Sequence, residues 1–249
     1  MKKTYLLSVL IMLSSLALFS FGTSAKNTMV LASEVKSNPI DSTTLKQADR
    51  FQSISTALYD TLHLDSLGLS HEAVNYAVKG YEKLVDQGMV NNSQYLTIVD
   101  LSQSSRKKRF YIIDMKKDQL VWNTYVAHGK NSGVDEATSF SNDPNSEESS
   151  LGFYLTKSTY LGKHGLSLRI SGQEQGFNDN AEARGIVVHG APYVNPARAA
   201  SSYMGRSQGC PALPENEYAQ VIRIIKDGSV IFIYHPSPNY LQGSALLNS

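Results

Sequence analysis

The sequence contains a single cysteine, Cys210, in the segment GRSQGCPALP at residues 205–214. Gly209 lets the backbone bend sharply beside the thiol and lets a carbonyl group approach it closely. The backbone N–H groups of Gly209 and Cys210 are then placed to hold an oxyanion. Pro211 has no N–H to donate, so we expect regular strand pairing to end directly after the cysteine. These surroundings are typical of a nucleophilic thiol, and the alternative is an inert buried cysteine that packs as a small hydrophobic side chain.

A nucleophilic Cys210 requires a base or a positive neighbour, because a thiol with an ordinary pKa near ~8.5 is only slightly ionised at neutral pH. His189 is the strongest candidate among the six histidines. It ends the apolar run GIVVH and precedes Gly190, so its ring is expected where a strand becomes a loop. The loop between His189 and Cys210 is long enough to fold back and bring the two together. A hydrogen-bonded structural histidine is the competing interpretation of His189.

The other histidines are weaker candidates. His128 ends a similar pattern in YVAHGKNSG, which predicts either a position in the same cleft or a simple turn. His164 lies in the segment KHG, which favours an ordinary turn. The remaining three are His63, His71 and His235. Because these three have no Cys, Asp or Glu nearby at metal-ligand spacing, the sequence argues against a zinc site.

The elements that must position these residues are mostly strands. After residue 92 the hydrophobic pattern consists of short β-type runs bounded by turn residues, which predicts a mainly β domain. The predicted strands are Leu96–Leu101, Phe110–Asp114, Leu120–Ala127, Leu151–Thr156, Leu166–Ile170, Ile186–His189 and Val230–Tyr234. The basic run from Arg106 to Arg109 lies where a turn would join two of these strands, so we interpret it as a solvated turn.

Helical spacing of apolar residues appears mainly before residue 92. One helix is predicted over residues 42–60, and a second begins after Ser70, a plausible N-cap, and ends at Gly88. A third is predicted over residues 214–226, within the β domain. The first two helices form a small helical segment at 42–91 that must pack on another part of the protein.

The N-terminus has the layout of a secretory signal peptide. Lys2 and Lys3 precede an apolar run and then small residues that end at Ala25. A membrane anchor is the alternative, but serines interrupt the apolar run and no second long apolar segment follows. We therefore expect cleavage after Ala25, a polar lead-in over 26–41, no membrane span in the mature chain, and a location in the periplasm or cell envelope. The chain carries 23 basic and 22 acidic side chains, a balance that argues against nucleic acid as a partner.

Two segments together resemble a known family. HGAPYV at 189–194 and GRSQGCPAL at 205–213 resemble the His-Gly and Ser-x-Gly-Cys signatures of the L,D-transpeptidase (YkuD-type) catalytic domain. The resemblance extends over about residues 100–234. It implies a mainly β, α+β fold, in which an L,D-transpeptidase-like β-sandwich or barrel over 92–249 follows the small helical segment.

The resemblance also implies roles for individual residues. Cys210 would be the acylated nucleophile, His189 the general base, and the carbonyl of Gly190 the group that orients the imidazole. Ser207 and Gly209 occupy supporting positions in the motif. The residues expected to bind substrate are Tyr193, Arg206, Gln208 and His128. The chain departs from many family members at Gln208, where they have His, and at Pro211 and Ala212, where they have Arg or His-Asn type residues.

The family's reaction implies a partner and a product, and it requires no metal or organic cofactor. A peptidoglycan tetrapeptide stem would be cleaved at the L,D bond before its terminal D-Ala to give a thioester. An amine from a neighbouring stem would then form a cross-link between third residues, whereas water would make the enzyme an L,D-carboxypeptidase. Carbapenem-type inhibitors are expected to react with the same thiol.

Two further functions remain open from the sequence. A sortase-like transpeptidase also uses Cys and His, and Arg223 could stand for its arginine, although Arg223 falls in a predicted helix and the sortase motif is absent. A non-catalytic wall-binding protein would keep the fold with an inert Cys210.

Overall fold

The structure, a computed structural model, describes residues 42–248. The expected signal peptide and lead-in lie outside the described residues. Two helices open the described part, α1 (Ser42–Thr61) and α2 (His71–Asp86). The hydroxyl of Ser70 accepts a hydrogen bond from the Ala73 N–H, which caps α2 as the sequence predicts. Both N-terminal helices are confirmed.

Eight strands form one mixed sheet. The seven predicted runs each coincide with a strand, although the third strand already ends at Thr124. The strands are β1 (Tyr95–Asp100), β2 (Phe110–Asp114), β3 (Gln119–Thr124), β4 (Gly152–Gly162), β5 (Gly165–Gly172), β6 (Val187–Ala191), β7 (Ala212–Pro214) and β8 (Val230–Tyr234). Their order is β3-β2-β1-β8-β4-β5-β6-β7, with parallel pairs at β1–β8 and β6–β7 and antiparallel pairs elsewhere.

The two outer strands of this order approach each other. The chain that follows β3 runs beside β7, where the Ala127 N–H donates to the Ala212 carbonyl at 2.9 Å. Ser207 N–H likewise donates to the His128 carbonyl at 2.9 Å. These contacts nearly close the sheet into a barrel and cover its edges. The mainly β, barrel-like fold expected from the sequence is confirmed.

The expectation that pairing ends after Cys210 was wrong. Strand β7 begins at Ala212 and pairs in parallel with β6, with His189 opposite Ala212. Pro211 has no N–H, but its carbonyl still accepts from the His189 N–H at 3.4 Å. Because Pro211 leads into β7, an outer strand of the sheet, its missing N–H leaves no carbonyl of a neighbouring strand without a donor.

The helices cover the sheet and share its core. Gly80 of α2 lies directly against the Phe153 ring of β4, where a Cβ atom would be 2.0 Å from a ring carbon. Phe153 in turn stacks on Phe232 of β8 with 4.2 Å between ring centroids. Helix α3 (Tyr218–Ile225) buries Val221, Ile222 and Ile225, and two short helices, α4 (Pro238–Gly243) and α5 (Ala245–Asn248), end the described chain. Between residues 42 and 248, no helix combines the length and the apolar character needed to cross a membrane.

The basic run at the β1–β2 connection is only partly solvated. Arg106, Lys107 and Lys108 are exposed, as expected, but Arg109 is completely buried. Its guanidinium donates to the Val126 and Gln103 carbonyls, at 3.1 and 2.7 Å. Arg109 is therefore an internal cross-link between β2 and the chain that follows β3, which corrects the interpretation of the whole run as a solvated turn.

Candidate active site

One cleft of about 550 Å³ contains both Cys210 and His189. Its walls come from the chain after β3, the β4–β5 hairpin, strand β6 and the segment 205–210. The lining residues are Lys130, Tyr160, Gly162, Lys163, His164, Ser167, Gly185, Val187, His189, Tyr193, Arg206, Ser207, Gln208 and Cys210. Among these described residues none is Asp or Glu, so positive side chains set the charge of the cleft.

Cys210 lies partly buried beside the first residue of β6. Its sulfur accepts a hydrogen bond from the Val187 N–H at 3.4 Å and lies 3.9 Å from the Gly185 carbonyl oxygen. Burial raises the pKa of the Cys210 thiol above its usual 9.0, while the Val187 N–H and the charge of Arg184 act in the opposite direction. The resting group is therefore a protonated thiol that needs a base.

His189 occupies the middle of β6 and is 4% exposed. Its Nδ1 lies 2.8 Å from the Gly190 carbonyl oxygen, which can only accept a hydrogen bond. Nδ1 therefore carries the proton, and Nε2 keeps the lone pair that a general base needs. Burial lowers the pKa of His189, and the nearby charges of His164 and Lys163 lower it further, against the opposing effect of the Gly190 carbonyl. The ring is thus held neutral and in the tautomer suited to accept a proton.

The expected direct contact between these two groups is absent from this structure. Both residues line the cleft, but the Cys210 sulfur bonds to Val187 rather than to a ring nitrogen of His189. The donor of this bond is the backbone N–H of Val187, two residues before His189 on β6.

The turn before Cys210, here called the nucleophile turn after its proposed role (residues 207–210), depends on Gly209. Its φ of +116° and the 2.7 Å distance from a would-be Cβ to the Glu148 carbonyl oxygen leave room only for glycine. Ser207 braces the turn, since its hydroxyl donates to the Cys210 carbonyl at 2.6 Å and accepts from the Gly209 N–H at 3.1 Å. The expectation that the Gly209 N–H is available for an oxyanion is thereby corrected, because Ser207 already takes it. The donor that contacts the Cys210 sulfur is the backbone N–H of Val187, at 3.4 Å.

Gly190 is also restricted by its surroundings. A Cβ atom at this position would lie 2.5 Å from the Tyr218 ring of α3. The absence of a side chain lets α3 pack close to β6 and leaves the Gly190 carbonyl beside the His189 ring. The Gly190 carbonyl can therefore accept a hydrogen bond from the His189 ring.

His128 was wrongly placed in the cleft. It is 1% exposed, and its Nδ1 lies 2.7 Å from the Arg109 guanidinium, which can only donate. Its Nε2–H therefore donates to the Gly133 carbonyl at 3.3 Å, so His128 has the opposite tautomer to His189. Burial and then the Arg109 charge lower the pKa of His128 to about 4. The unprotonated nitrogen of His128 is already bonded to Arg109, and the ring is shielded from the cleft. His128 therefore supports the fold and does not contact substrate.

The other three residues expected to bind substrate all lie in the cleft. Tyr193, Arg206 and Gln208 line the cleft. Burial, followed by the charge of Cys210, raises the pKa of Tyr193 to about 12, so its hydroxyl stays protonated. Arg206 donates to backbone carbonyls and lies over the Tyr203 ring at 5.1 Å, whereas Tyr203 itself is not part of the lining.

Two residues near the site were missed by sequence reasoning. His164, interpreted as a turn residue, lines the cleft and stacks on His189 with 4.4 Å between ring centroids. Arg184 donates to the Ser141 and Glu148 carbonyls, both at 2.7 Å, and so holds the 139–150 loop against the nucleophile turn. No local signal identifies either residue, because both depend on which strands become neighbours in the sheet.

The model of the L,D-transpeptidase catalytic domain family matches residues 66–234. The chain belongs to this family. The match begins before α2, so the family's domain includes that helix together with the sheet. Family members are enzymes, and the described cleft lies within the matched region. None of the curated proteins compared with the chain matches it.

Several solved structures, among them L,D-transpeptidases, are similar to the chain at low identity. One from Mycobacterium smegmatis is 13% identical, with 57% of this chain and 59% of that chain covered and a TM-score of 0.36. L,D-transpeptidase 3 from Mycobacterium tuberculosis is 12% identical, with coverage of 57% and 61% and a TM-score of 0.38. The helical cell shape determining protein Pgp2 from Campylobacter jejuni is 14% identical, with coverage of 64% and 54% and a TM-score of 0.39. The matched part of this chain spans about three fifths of the length of these proteins.

Proposed function

We propose that this chain is an exported peptidoglycan L,D-transpeptidase that uses Cys210 as its nucleophile and His189 as its base. The single observation that carries the proposal is the state of His189. Its ring shares a cleft with the only thiol of the chain, and its bond to Gly190 keeps Nε2 unprotonated. Export to the periplasm or cell envelope is supported by the signal-like residues 1–25.

The chemistry begins with a neutral pair, a protonated thiol and a neutral imidazole. His189 Nε2 takes the proton as the sulfur attacks the carbonyl carbon of the L,D bond before the terminal D-Ala. The C–N bond then breaks, and the same proton passes to the departing amine of D-Ala. This leaves the stem attached to Cys210 as a thioester.

The thioester is resolved by a second nucleophile. An amine of a neighbouring stem attacks the thioester carbonyl, loses a proton to His189, and releases the thiol after that proton returns to sulfur. The product is a cross-link between third residues, the type often written 3-3. Water in the place of the amine would instead give a tripeptide and an L,D-carboxypeptidase.

The charge of the cleft supports an anionic peptide as substrate. Lys163 and Arg206 line it without any Asp or Glu in the lining. Lys130 also faces the cleft but forms an ion pair with Glu147 at 2.6 Å. A tetrapeptide stem carries the terminal D-Ala carboxylate, which such a cleft would attract.

Two observations oppose a sortase-like function. Arg223 is exposed on α3 and does not line the cleft, so no arginine from that position reaches the thiol. The family match also covers the whole described cleft. The wall-binding alternative, with an inert Cys210, predicts that the thiol does not react with a carbapenem.

Carbapenem acylation tests whether the thiol is a nucleophile. The sulfur should open the β-lactam ring and retain the whole drug, so intact mass spectrometry should show one added carbapenem. Cys210→Ala should gain nothing, and because Cys210 is the only cysteine this variant controls for every thiol in the chain. An adduct of equal yield on Cys210→Ala, or none on the natural chain, would exclude the proposed nucleophile.

Turnover on a defined tetrapeptide stem with an acceptor tests the reaction itself. Cys210→Ala should lose roughly 10³-fold or more of the activity while its melting temperature stays close to that of the natural chain. His189→Asn removes the proposed base, and His63→Asn is its matched control. His63 is exposed, lies outside the cleft and has a φ of 48°, a conformation that Asn tolerates. Cross-linked dimer would support a transpeptidase, whereas tripeptide alone would show the carboxypeptidase.

A further inference from the structure

We propose that His164 is a positioning residue for the general base, which holds the His189 ring from the open side of the cleft. This inference deepens the proposed function and rests on it. The segment KHG is the tip of the β4–β5 hairpin, where the sequence alone indicated only a turn. In the folded chain it is the outer wall of the cleft.

Sheet register brings the hairpin over the base. Ser167 of β5 is directly opposite His189 of β6, so the tip at residues 162–165 extends past the His189 backbone. From there the His164 ring covers the His189 ring at 4.4 Å between centroids and 28° between planes. This geometry is that of a stacked pair, in which two flat faces are in contact.

The stack supplies a restraint that the other contacts of His189 do not. The strand holds the backbone, and the Gly190 carbonyl holds one edge of the ring through Nδ1. Neither contact covers a ring face. His164 is exposed to solvent while His189 is 4% exposed, so the outer imidazole shields the inner one.

The hairpin also acts on the charge of the base. His164 and Lys163 both favour the neutral form of His189, in addition to the larger effect of burial. Other titratable groups around His189 come from several elements, and none of them is an acid of the Asp or Glu type. They are Lys130, Tyr160, Tyr193, Arg206, Cys210 and Tyr218.

His164 thereby adds a second imidazole to a cleft in which Gln208, next to the nucleophile turn, is a neutral amide. The hairpin is consequently expected to set the pH at which the base becomes active. A hairpin that merely completed the fold would have no such effect.

Three variants distinguish the effect of the His164 ring face on His189 from the effect of charge. His164→Phe keeps an aromatic face without a charge, His164→Ala removes both, and Lys163→Ala removes only the neighbouring charge. His63→Asn again serves as a control that changes the histidine count outside the cleft. All are made in the full mature chain, with thermal unfolding used to verify the fold.

The first measurement does not depend on activity. NMR titration of labelled histidine should give a His189 pKa that rises in His164→Ala, rises less in His164→Phe and Lys163→Ala, and does not change in His63→Asn. The order follows because His164→Ala loses shielding and charge together. An unchanged His189 pKa and an unchanged Nδ1–H resonance in His164→Ala would overturn the inference.

The second measurement is the pH dependence of carbapenem acylation. The acid limb should move to higher pH in His164→Ala, and a shift of about one pH unit would reduce the rate about fivefold at the wild-type midpoint. His164→Phe should retain more of the rate at high pH than His164→Ala, because the ring stays positioned. Identical pH profiles in wild type and His164→Ala would contradict the inference. A wild-type chain that is never acylated would contradict the proposed function, and the NMR result would then decide the inference.

Discussion

Acid should destabilise this fold through His128, the histidine that lies behind the nucleophile turn. His128 is 1% exposed and accepts a hydrogen bond from Arg109 through Nδ1. A proton on that nitrogen would remove the bond and place two buried cations side by side. Burial and the Arg109 charge accordingly lower the pKa of His128 to about 4, from an ordinary 6.5.

The sign and size of the effect follow from linkage. Above pH 6.5 both folded and unfolded chains hold His128 neutral, so its contribution to stability is intact. As the pH falls below 6.5, His128 binds a proton in the unfolded chain but not in the folded chain. Stability is therefore lost until His128 is also protonated in the folded chain, near pH 4. At ~1.4 kcal/mol per pKa unit, the whole loss is about 3 kcal/mol, of which about 2 kcal/mol should be gone at pH 5.

Urea unfolding at pH 7.5 and at pH 5 measures this loss, with the fluorescence of Trp122, the only tryptophan, as the probe. His128→Asn is the matched variant, because its amide oxygen can accept from Arg109 but cannot bind a proton in this range. Histidines elsewhere, such as His189 and His235, titrate alike in both proteins and cancel in the comparison. The variant should lose about 2 kcal/mol less than the natural chain between the two pH values. Equal losses would show that His128 does not carry the acid sensitivity and would refute the reasoning.

The remaining predictions concern the cleft. Ser207→Ala should reduce the carbapenem acylation rate about 10- to 100-fold, because it frees the Cys210 carbonyl and the Gly209 N–H that now fix the nucleophile turn; a rate within twofold of the natural chain in a folded variant would contradict this bracing role. Tyr193→Ala should shift the products of a defined tetrapeptide from dimer towards tripeptide, since Tyr193 lines the cleft and can exclude water from the thioester. Tyr203→Ala, made outside the lining, should shift the mass-spectrometric ratio less, and an equal effect of both variants would argue against shielding by Tyr193.

Local patterns predicted the elements of the fold well. Alternating and continuous apolar runs located seven of the eight strands, and the Ser70 cap located the start of α2 to the residue. Strand β7 was missed because it has only three residues, includes Pro214 and follows Pro211. So short a strand exists only because β6 offers it a parallel partner, and no local pattern reports that.

The same distinction applies to the candidate site. Cys210, His189 and the glycines beside them were recognisable from sequence, because a lone thiol and a histidine between an apolar run and a glycine are local features. The expectation that the strand ends at His189 was wrong, since β6 continues to Ala191. The tautomers and the surroundings of the histidines could not be recognised from the sequence. His128 and His189 follow nearly the same pattern, an apolar run and then His-Gly, yet one bonds to a buried arginine and the other to a carbonyl.

The sequence by itself determined the residue types able to do acyl-transfer chemistry, the periods that build strands and helices, and membership in the family. Only the tertiary structure decided which imidazole has the tautomer that a general base needs. That decision depends on whether the hydrogen-bond partner of Nδ1 is a donor, as Arg109 is for His128, or an acceptor, as Gly190 is for His189. The tertiary structure also placed His164 over the His189 ring, because sheet register, which is a long-range property, determines what the β4–β5 hairpin covers.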